Sequence, residues 1–157
     1  MMKKLLLAGL LAIFSLSPFY GQNHFNVGIH GGIPLGDIED FSSFEAGIDL
    51  AYRFTFVEIV EVGPLLGYTH FFGKDEFDDL NYLPIAASGR LSLPQSFFAG
   101  FDLGYAIALE DSVDGGLFYR PQVGYQFPGI GLVLSYAGIA EDGLDLGALT
   151  FGVEFKW

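Results

Sequence analysis

The sequence TFGVEFKW, residues Thr150–Trp157, ends the chain in an alternating pattern. Large apolar residues fill every second position, and the positions between them hold Thr150, Gly152, Glu154 and Lys156. Chain termini normally fray and carry small or polar residues. Strict alternation is instead typical of a β-strand with one apolar and one polar face. The sequence therefore predicts that its last residues form a strand.

The bulk composition combines two properties that seldom occur together in a soluble domain. Of the 157 residues, 51% are hydrophobic and 17% are aromatic, yet the formal net charge is −12. A membrane protein with acidic loops has both properties. The excess of acids argues against nucleic-acid binding, which requires Lys and Arg to neutralise phosphates. The sequence has no cysteine, which excludes disulfide bonds and thiolate metal sites.

The first 21 residues have the pattern of a secretory signal peptide. Lys3 and Lys4 form a positive start, and Leu5–Phe14 is an apolar run of ten residues, too short to cross a bilayer. Pro18 and Gly21 end this pattern where processing would occur. We therefore expect residues 1–21 to be a signal peptide and residues 22–157 to form one domain.

Seven more segments alternate in the same way and predict seven more strands. They are residues 24–33, 44–54, 60–68, 83–93, 97–109, 118–127 and 130–136, and with 149–157 most are nine to eleven residues long. That is the length of a tilted transmembrane strand. Connections after strands two, four and six are short, whereas those at 33–43, 70–81, 110–116 and 137–145 are longer and acidic. The pattern predicts an all-β fold, an eight-stranded antiparallel up-and-down transmembrane β-barrel whose first and last strands pair.

Volume decides which face of each strand points outward. A secreted lipocalin-like barrel would alternate in the same way with its apolar face inside, but eight strands enclose room only for side chains or one small ligand. The many large apolar residues could not all fit, so we expect them to face lipid. The aromatic residues fall near strand ends, as in two membrane-interface girdles. One girdle comprises Phe25, Tyr52, Phe54, Phe97, Tyr125, Phe127 and Trp157, and the other Phe44, Tyr68, Tyr119 and Tyr136.

The C-terminal sequence also resembles an assembly signal. Thr150, Gly152, Phe155 and Trp157 fit the pattern polar–x–Gly–x–x–apolar–x–aromatic by which the barrel assembly machinery recognises outer-membrane proteins. Together with FYRPQVGYQF (118–127), it makes residues 22–157 similar to small eight-stranded outer-membrane β-barrels, in particular the porin-like β-barrel domain family common in Bacteroidetes. The resemblance implies export to the Gram-negative outer membrane and contact with its lipid and lipopolysaccharide. It implies no shared catalytic motif and no cofactor.

The polar strand faces predict a charged lumen. Its charged residues are Glu45, Asp49, Arg53, Glu61, Arg90, Asp102, Arg120, Glu154 and Lys156. Charges inside a narrow barrel must pair and be hydrogen-bonded, because isolated buried charges are too costly. One interpretation is a structural plug of salt bridges; the other is a narrow polar path or gated ion pore.

The three histidines do not predict a metal site. His24 and His30 share one face of the first strand, but six residues place them about 20 Å apart. Each is expected to hydrogen-bond within the lumen. His70 lies beside an acidic loop, where a serine could complete a rim active site, although the sequence has no G-x-S-x-G motif. The candidate serines for such a site are Ser42, Ser43 and Ser112.

The acidic loops allow two interpretations. They predict either a solvated rim that interacts with an unknown surface partner, or a rim that binds divalent cations weakly and bridges to lipopolysaccharide phosphates. For the whole protein, the first functional hypothesis is a non-enzymatic outer-membrane protein with a largely filled polar lumen, acting in envelope structure or surface interaction. The alternative is a narrow channel or conduit for ions or a small hydrophobic molecule.

Overall fold

The computed structural model describes residues 2–5, 23–36, 38, 42–73, 79–110, 115–141 and 143–156. It contains eight strands: β1 (Asn23–Gly36), β2 (Ser42–Val57), β3 (Val60–Gly73), β4 (Leu80–Ser92), β5 (Phe97–Ala108), β6 (Gly116–Phe127), β7 (Ile130–Glu141) and β8 (Leu144–Lys156). They form a closed antiparallel barrel in chain order, and β1 pairs with β8. The predicted fold is confirmed. Most of the predicted signal peptide and Trp157 lie outside the described residues.

Strand pairing reproduces the predicted alternation. Ile29 pairs with Ile48 on one side and Val153 on the other, and Ile29 is 53% exposed on the outer surface. Asp102 pairs with Arg120, and both are buried in the lumen. The outside is thus apolar and the inside carries the charges, as expected for a barrel surrounded by lipid. Within the described residues, no helix is long and apolar enough to span a membrane.

Seven of the eight strands are longer than the sequence predicted and β5 is one residue shorter, so that the strands have 12 to 16 residues. The prediction of a long fourth loop at 137–145 was wrong, because β7 continues to Glu141 and β8 starts at Leu144. Acidic residues there were interpreted as loop, but Gly143, at φ +82°, makes a tight turn that lets both strands continue. A 12-residue strand is about 40 Å long and, tilted by about 40°, exceeds the apolar band of about 25 Å. Polar residues can therefore occupy strand ends outside the membrane.

The two ends of the barrel differ in their connections. The short-turn end has connections at 58–59, 93–96 and 128–129, and it also holds the start of β1 and the end of β8. The opposite end, called the loop end below, has connections at 37–41, 74–79, 109–115 and 142–143. Outer-membrane barrels have short periplasmic turns and longer extracellular loops. That rule assigns the loop end to the cell exterior.

The outward-facing aromatic residues form contacting groups towards both ends. At the short-turn end, ring centroids are 4.9 Å apart for Tyr52–Phe54 and 5.1 Å for Phe97–Tyr125. At the other end, the centroids of Tyr119 and Tyr136 are 6.3 Å apart. Because β3, β6 and β7 extend further than predicted, Tyr68, Tyr119 and Tyr136 lie inside the ends of these strands rather than at them.

Two tyrosines pack their rings over glycines of the neighbouring strand. A Cβ at Gly138 would collide with the ring of Tyr119, and a Cβ at Gly147 would collide with that of Tyr136. Such packing of an aromatic ring over a strand glycine stabilises the local pairing. The outer surface therefore needs glycine at these positions for steric reasons.

We expect Gly147→Ala to destabilise the barrel by about 1–3 kcal/mol, because the Tyr136 ring must move. The matched control is Gly89→Ala, also on the outer face, whose Cβ would find its nearest atom 3.8 Å away. That change should be neutral or stabilise by up to about 1 kcal/mol, since alanine restricts the unfolded chain. Urea titration of the refolded protein in phospholipid vesicles, scored by heat-modifiable gel migration, measures both. Equal effects of the two substitutions would contradict the steric explanation.

Candidate functional site

The lumen brings all nine predicted charged residues together. They come from strands on every side of the barrel, and their side chains contact one another across it. The sequence established which face they share but gave no information on which pairs form.

Arg120 lies at the centre of this network. Its Nε donates a hydrogen bond to Asp102 Oδ2 at 2.8 Å, and its Nη1 donates to Asp49 Oδ2 at 2.8 Å. Gln122 Nε2 donates to the same Asp102 oxygen at 2.9 Å. Asp102 is fully buried. A buried carboxylate with charged and amide donors is the arrangement that offsets the cost of its desolvation.

A second group centres on Glu154, towards the short-turn end. Arg90 binds it in bidentate fashion, with Nη1 to Oε1 at 2.6 Å and Nη2 to Oε2 at 3.1 Å. Arg53 Nη1 donates to Oε1 of the same carboxylate at 3.1 Å, and its Nε donates to Ser88 Oγ at 3.0 Å. Arg90 Nη2 also donates to Gln122 Oε1 at 3.2 Å, which joins this group to the Arg120 group.

His30 extends the network towards the loop end. Its Nδ1 lies 3.1 Å from Glu45 Oε1, and its Nε2 lies 3.3 Å from Asp49 Oδ2. Glu45 is fully buried. At the opposite mouth, Glu61 Oε1 lies 3.3 Å from Lys156 Nζ and 3.5 Å from His24 Nε2. The two histidines therefore contact different carboxylates of the lumen.

The loop-end half of the lumen is apolar, which the sequence did not predict. The polar strand faces predicted a charged lumen, with the large apolar residues outside. Instead, buried side chains from six strands and the first loop form an apolar layer there: Ile38, Phe71, Tyr82, Ala106, Phe118, Ile139, Leu146 and Ala148. The guanidinium of Arg120 lies 5.5 Å from the centre of the Phe118 ring, so the apolar and charged layers are in contact.

Cavities confirm how completely the lumen is filled. Among the charged residues, including Asp49, Arg120 and Glu154, a cavity of about 20 Å³ remains, which is room for one water molecule. A larger cavity of about 220 Å³ opens at the short-turn mouth beside Glu61 and Lys156. Glu154 lines the first of these spaces, and Arg90, which binds Glu154, lines the second.

The predicted assembly signal divides between the two faces. Thr150 and Gly152 are buried in the lumen, where Thr150 Oγ1 shares a 2.5 Å hydrogen bond with Ser135 Oγ. Phe155 faces outward and is 38% exposed. Recognition by the assembly machinery stays a prediction.

Among the described residues of the loop end, the polar contacts of His70 are with Asp79 and Tyr68 and not with a serine. Its Nε2 lies 2.9 Å from Asp79 Oδ2 and its Nδ1 lies 3.3 Å from the Tyr68 hydroxyl. Ser42 Oγ instead donates to the Phe72 carbonyl oxygen at 2.8 Å. Ser112 lies outside the described residues, as do most of the predicted loop acids. Of the side chains the structure describes, no three His, Asp or Glu residues are placed to hold a metal ion together.

Removing Arg120 should reveal how much the barrel depends on its ionic network. We expect Arg120→Met to destabilise the folded barrel by about 3–5 kcal/mol, because it leaves Asp49 and Asp102 as uncompensated buried charges. Lys156→Met, at the partly exposed mouth, should cost less than about 1 kcal/mol. Urea unfolding in vesicles at pH 7 measures both. A similar loss for the two variants would contradict the central role of Arg120.

Several solved structures have this fold. The crystal structure of Ail, the attachment invasion locus protein of Yersinia pestis, matches with a TM-score of 0.63 and 17% identity over 88% of this chain and 100% of that one. Neisserial surface protein A matches at 0.52 and 18% identity, covering 86% and 97%. The N-terminal β-barrel domain of Pseudomonas aeruginosa OprF matches at 0.54 and 13% identity, covering 87% and 99%.

No protein-family model and no curated protein sequence matches this chain. The resemblance to the Bacteroidetes porin-like family therefore stays a prediction. At these identities the structural matches show the architecture alone. The chain has the fold of the small eight-stranded outer-membrane β-barrels.

Proposed function

We propose that this protein is an integral outer-membrane barrel with a sealed lumen, acting in envelope structure or surface contact through its loop end. The observation that carries the proposal is the filling of the lumen by two successive layers. The charged layer leaves room for one water molecule, and the apolar layer beyond it excludes water.

Transport receives less support from this arrangement. Ion conduction requires a continuous polar path with sites that bind ions weakly enough to release them. Here the arginines are engaged by carboxylates at 2.6–3.1 Å, and a passing ion would have to displace those partners. It would then have to cross the layer of buried apolar side chains around Phe118 and Tyr82, where desolvation of an ion is costly.

Surface contact is favoured by the kind of proteins that share the fold. They include an attachment and invasion locus protein and a surface protein. In this chain, eight strands with a packed interior form a rigid support for the loops. Function in proteins is often located on loops that a rigid scaffold positions.

The sealed lumen is tested by recording the refolded protein in a planar bilayer. We expect no conductance steps under conditions where a known porin conducts. Reproducible steps whose size changes in Arg120→Ala or Asp102→Ala would overturn the sealed-lumen proposal and favour the channel.

The contact role is tested by exchanging residues 74–78 and 111–114 for Gly-Ser segments of the same lengths. Cells displaying the exchanged barrel should lose any self-aggregation or surface attachment that the wild type confers. The barrel itself should still migrate as folded on a gel, because those segments lie between strands. Unchanged attachment would contradict a role for these loops.

A further inference from the structure

The cavity at the short-turn mouth of the barrel has no role in sealing the lumen. Its volume is about 220 Å³, compared with about 20 Å³ for the cavity beside Arg120. Its walls come from β3, β4, β5, β6 and β8 and from the turn between β4 and β5. We call it the mouth cavity. It is a concave space of the kind in which small molecules bind, at the end of an otherwise packed barrel.

Donor groups predominate on the polar part of the cavity wall. Arg90, Ser92, Ser96 and Lys156 line it and carry guanidinium, hydroxyl and ammonium groups. The acid in the wall, Glu61, is already engaged, because its Oε1 lies 3.3 Å from Lys156 Nζ. Hydrogen bonds from such donors to an anionic oxygen are stronger than those between neutral groups. The polar wall therefore suits an anion.

The charge behind this wall has the same preference. Arg53 and Arg90 share the one carboxylate of Glu154, and their other hydrogen-bond partners in the described lumen are neutral side chains. One carboxylate compensates only one of two buried guanidinium groups. In the Arg120 group the ratio is reversed, because Arg120 lies between two carboxylates. The excess positive charge of the lumen thus lies at the end where the mouth cavity opens.

Arg90 connects this charge to the cavity. It is 7% exposed, and its guanidinium lies 4.1 Å from the centre of the Phe98 ring. Its Nη1 and Nη2 bind Glu154 and Gln122, whereas the buried Nε has no acceptor among the described residues. Leaving a buried donor without an acceptor is costly. An acceptor that enters the cavity from outside the chain would account for this donor.

The turn that supplies Ser96 has an unfavourable backbone conformation. Gln95 and Ser96 have φ angles of +62° and +68°, in the left-handed region that favours glycine, and no other described non-glycine residue has a positive φ. Such strain is often retained at binding sites, where a side chain is needed at that position. Ser96 lines the mouth cavity and Gln95 does not. The two neighbours therefore form a matched pair for mutation.

Another part of the cavity wall is apolar. Leu93 and Phe97 line it and are 40% and 50% exposed. A ligand that fits both parts has an apolar body and a negative charge. A second negative charge is disfavoured by Glu61, because like charges repel at close range. A small organic carboxylate, such as the carboxyl end of a peptide, has this chemistry.

We propose that the mouth cavity binds a small organic carboxylate. Lys156 and Ser96 donate hydrogen bonds to its oxygens beside the Arg90 guanidinium, and Leu93 and Phe97 pack on its apolar body. The site goes beyond the proposed contact role, since it lies at the end of the barrel opposite the loops. Only its position on the periplasmic side rests on the orientation assigned from the short turns.

The first test compares three ligands that differ in one feature each. N-acetylleucine is titrated into the refolded protein in detergent micelles, and the backbone amide signals of Ser92 and Ser96 are followed by NMR. We expect saturable shifts. N-acetylleucinamide lacks the charge and should not saturate at the same concentrations, and N-acetylglycine lacks the apolar side chain and should bind more weakly. No saturation with N-acetylleucine, or equal affinity for the amide, would overturn the proposal.

Charge variants locate the site at the mouth. Lys156→Met should weaken the affinity for N-acetylleucine about tenfold, the effect of one lost hydrogen bond of about 1.4 kcal/mol. Lys156→Arg keeps the charge and should retain binding. Lys74→Met, which removes the same charge from the connection at the loop end, should leave the affinity unchanged. An equal loss in Lys156→Arg or in Lys74→Met would contradict the assignment of Lys156.

The turn variants separate binding from folding. Neither Ser96→Gly nor Gln95→Gly should lower the urea midpoint in vesicles, because glycine adopts positive φ without strain. Only Ser96→Gly removes a hydroxyl from the cavity, so it alone should weaken the affinity, by about fivefold for one lost hydrogen bond of about 1 kcal/mol. Equal affinities in the two variants would rule out Ser96 as a ligand-binding residue.

A phosphodiester distinguishes the proposed ligand from a lipid headgroup. Saturable shifts with glycerophosphoglycerol and none with N-acetylleucine would overturn the carboxylate site in favour of a phospholipid headgroup. Conductance is a separate measurement. A conducting barrel would overturn the sealed lumen while leaving the N-acetylleucine result to stand.

Discussion

The contact of Arg120 with Asp102 and Asp49 is the interaction on which the interior depends. It joins β6 to β5 and to β2 on the opposite side of the barrel. An eight-stranded barrel cannot hold bulk water to solvate its charges, so each must find a partner on another strand. Gln122 and Arg90 then extend the pairing to Glu154, and His30 extends it to Glu45. Four carboxylates thereby meet three guanidinium groups and one imidazole.

The apolar layer has a complementary role. Charges alone would leave the loop-end lumen open to water, which would weaken the pairs by screening them. Phe118, Tyr82 and Phe71 close that end, and Ile38 packs onto them from the first loop. The result is a low-dielectric environment around the ion pairs, in which a missing partner is costly. The closure of the loop-end lumen and the stability of the ion pairs therefore both depend on the apolar layer.

Alternation allowed the strand faces, the barrel closure and the nine lumen charges to be predicted. The expectation that large aromatic residues lie outside was wrong for Phe118 and Tyr82, although both occupy positions of the alternation that face the lumen. Phe118 is in phase with Arg120 and Gln122, and Tyr82 is in phase with Ser88 and Arg90, so the pattern itself placed both inside. We expected large aromatics only outside, because eight strands enclose little room for side chains.

Pairing across the barrel could not be predicted for a different reason. Arg90 and Glu154 are 64 residues apart, and whether they meet depends on the stagger between strands. Periodicity contains no information on that stagger. The fourth loop was mispredicted because acidity indicates exposure to water but does not distinguish a loop from a strand that extends beyond the membrane. Glu141 and Asp145 are of the second kind.

The distribution of charge over the whole barrel follows from these constraints. Cations in the described strands are all needed inside, where they compensate buried carboxylates. In the described strands the outer surface is consequently left without Lys or Arg, and its tyrosine hydroxyls occur at both ends of the barrel. The described strands therefore offer no Lys or Arg on their outer surface with which an anionic headgroup could pair.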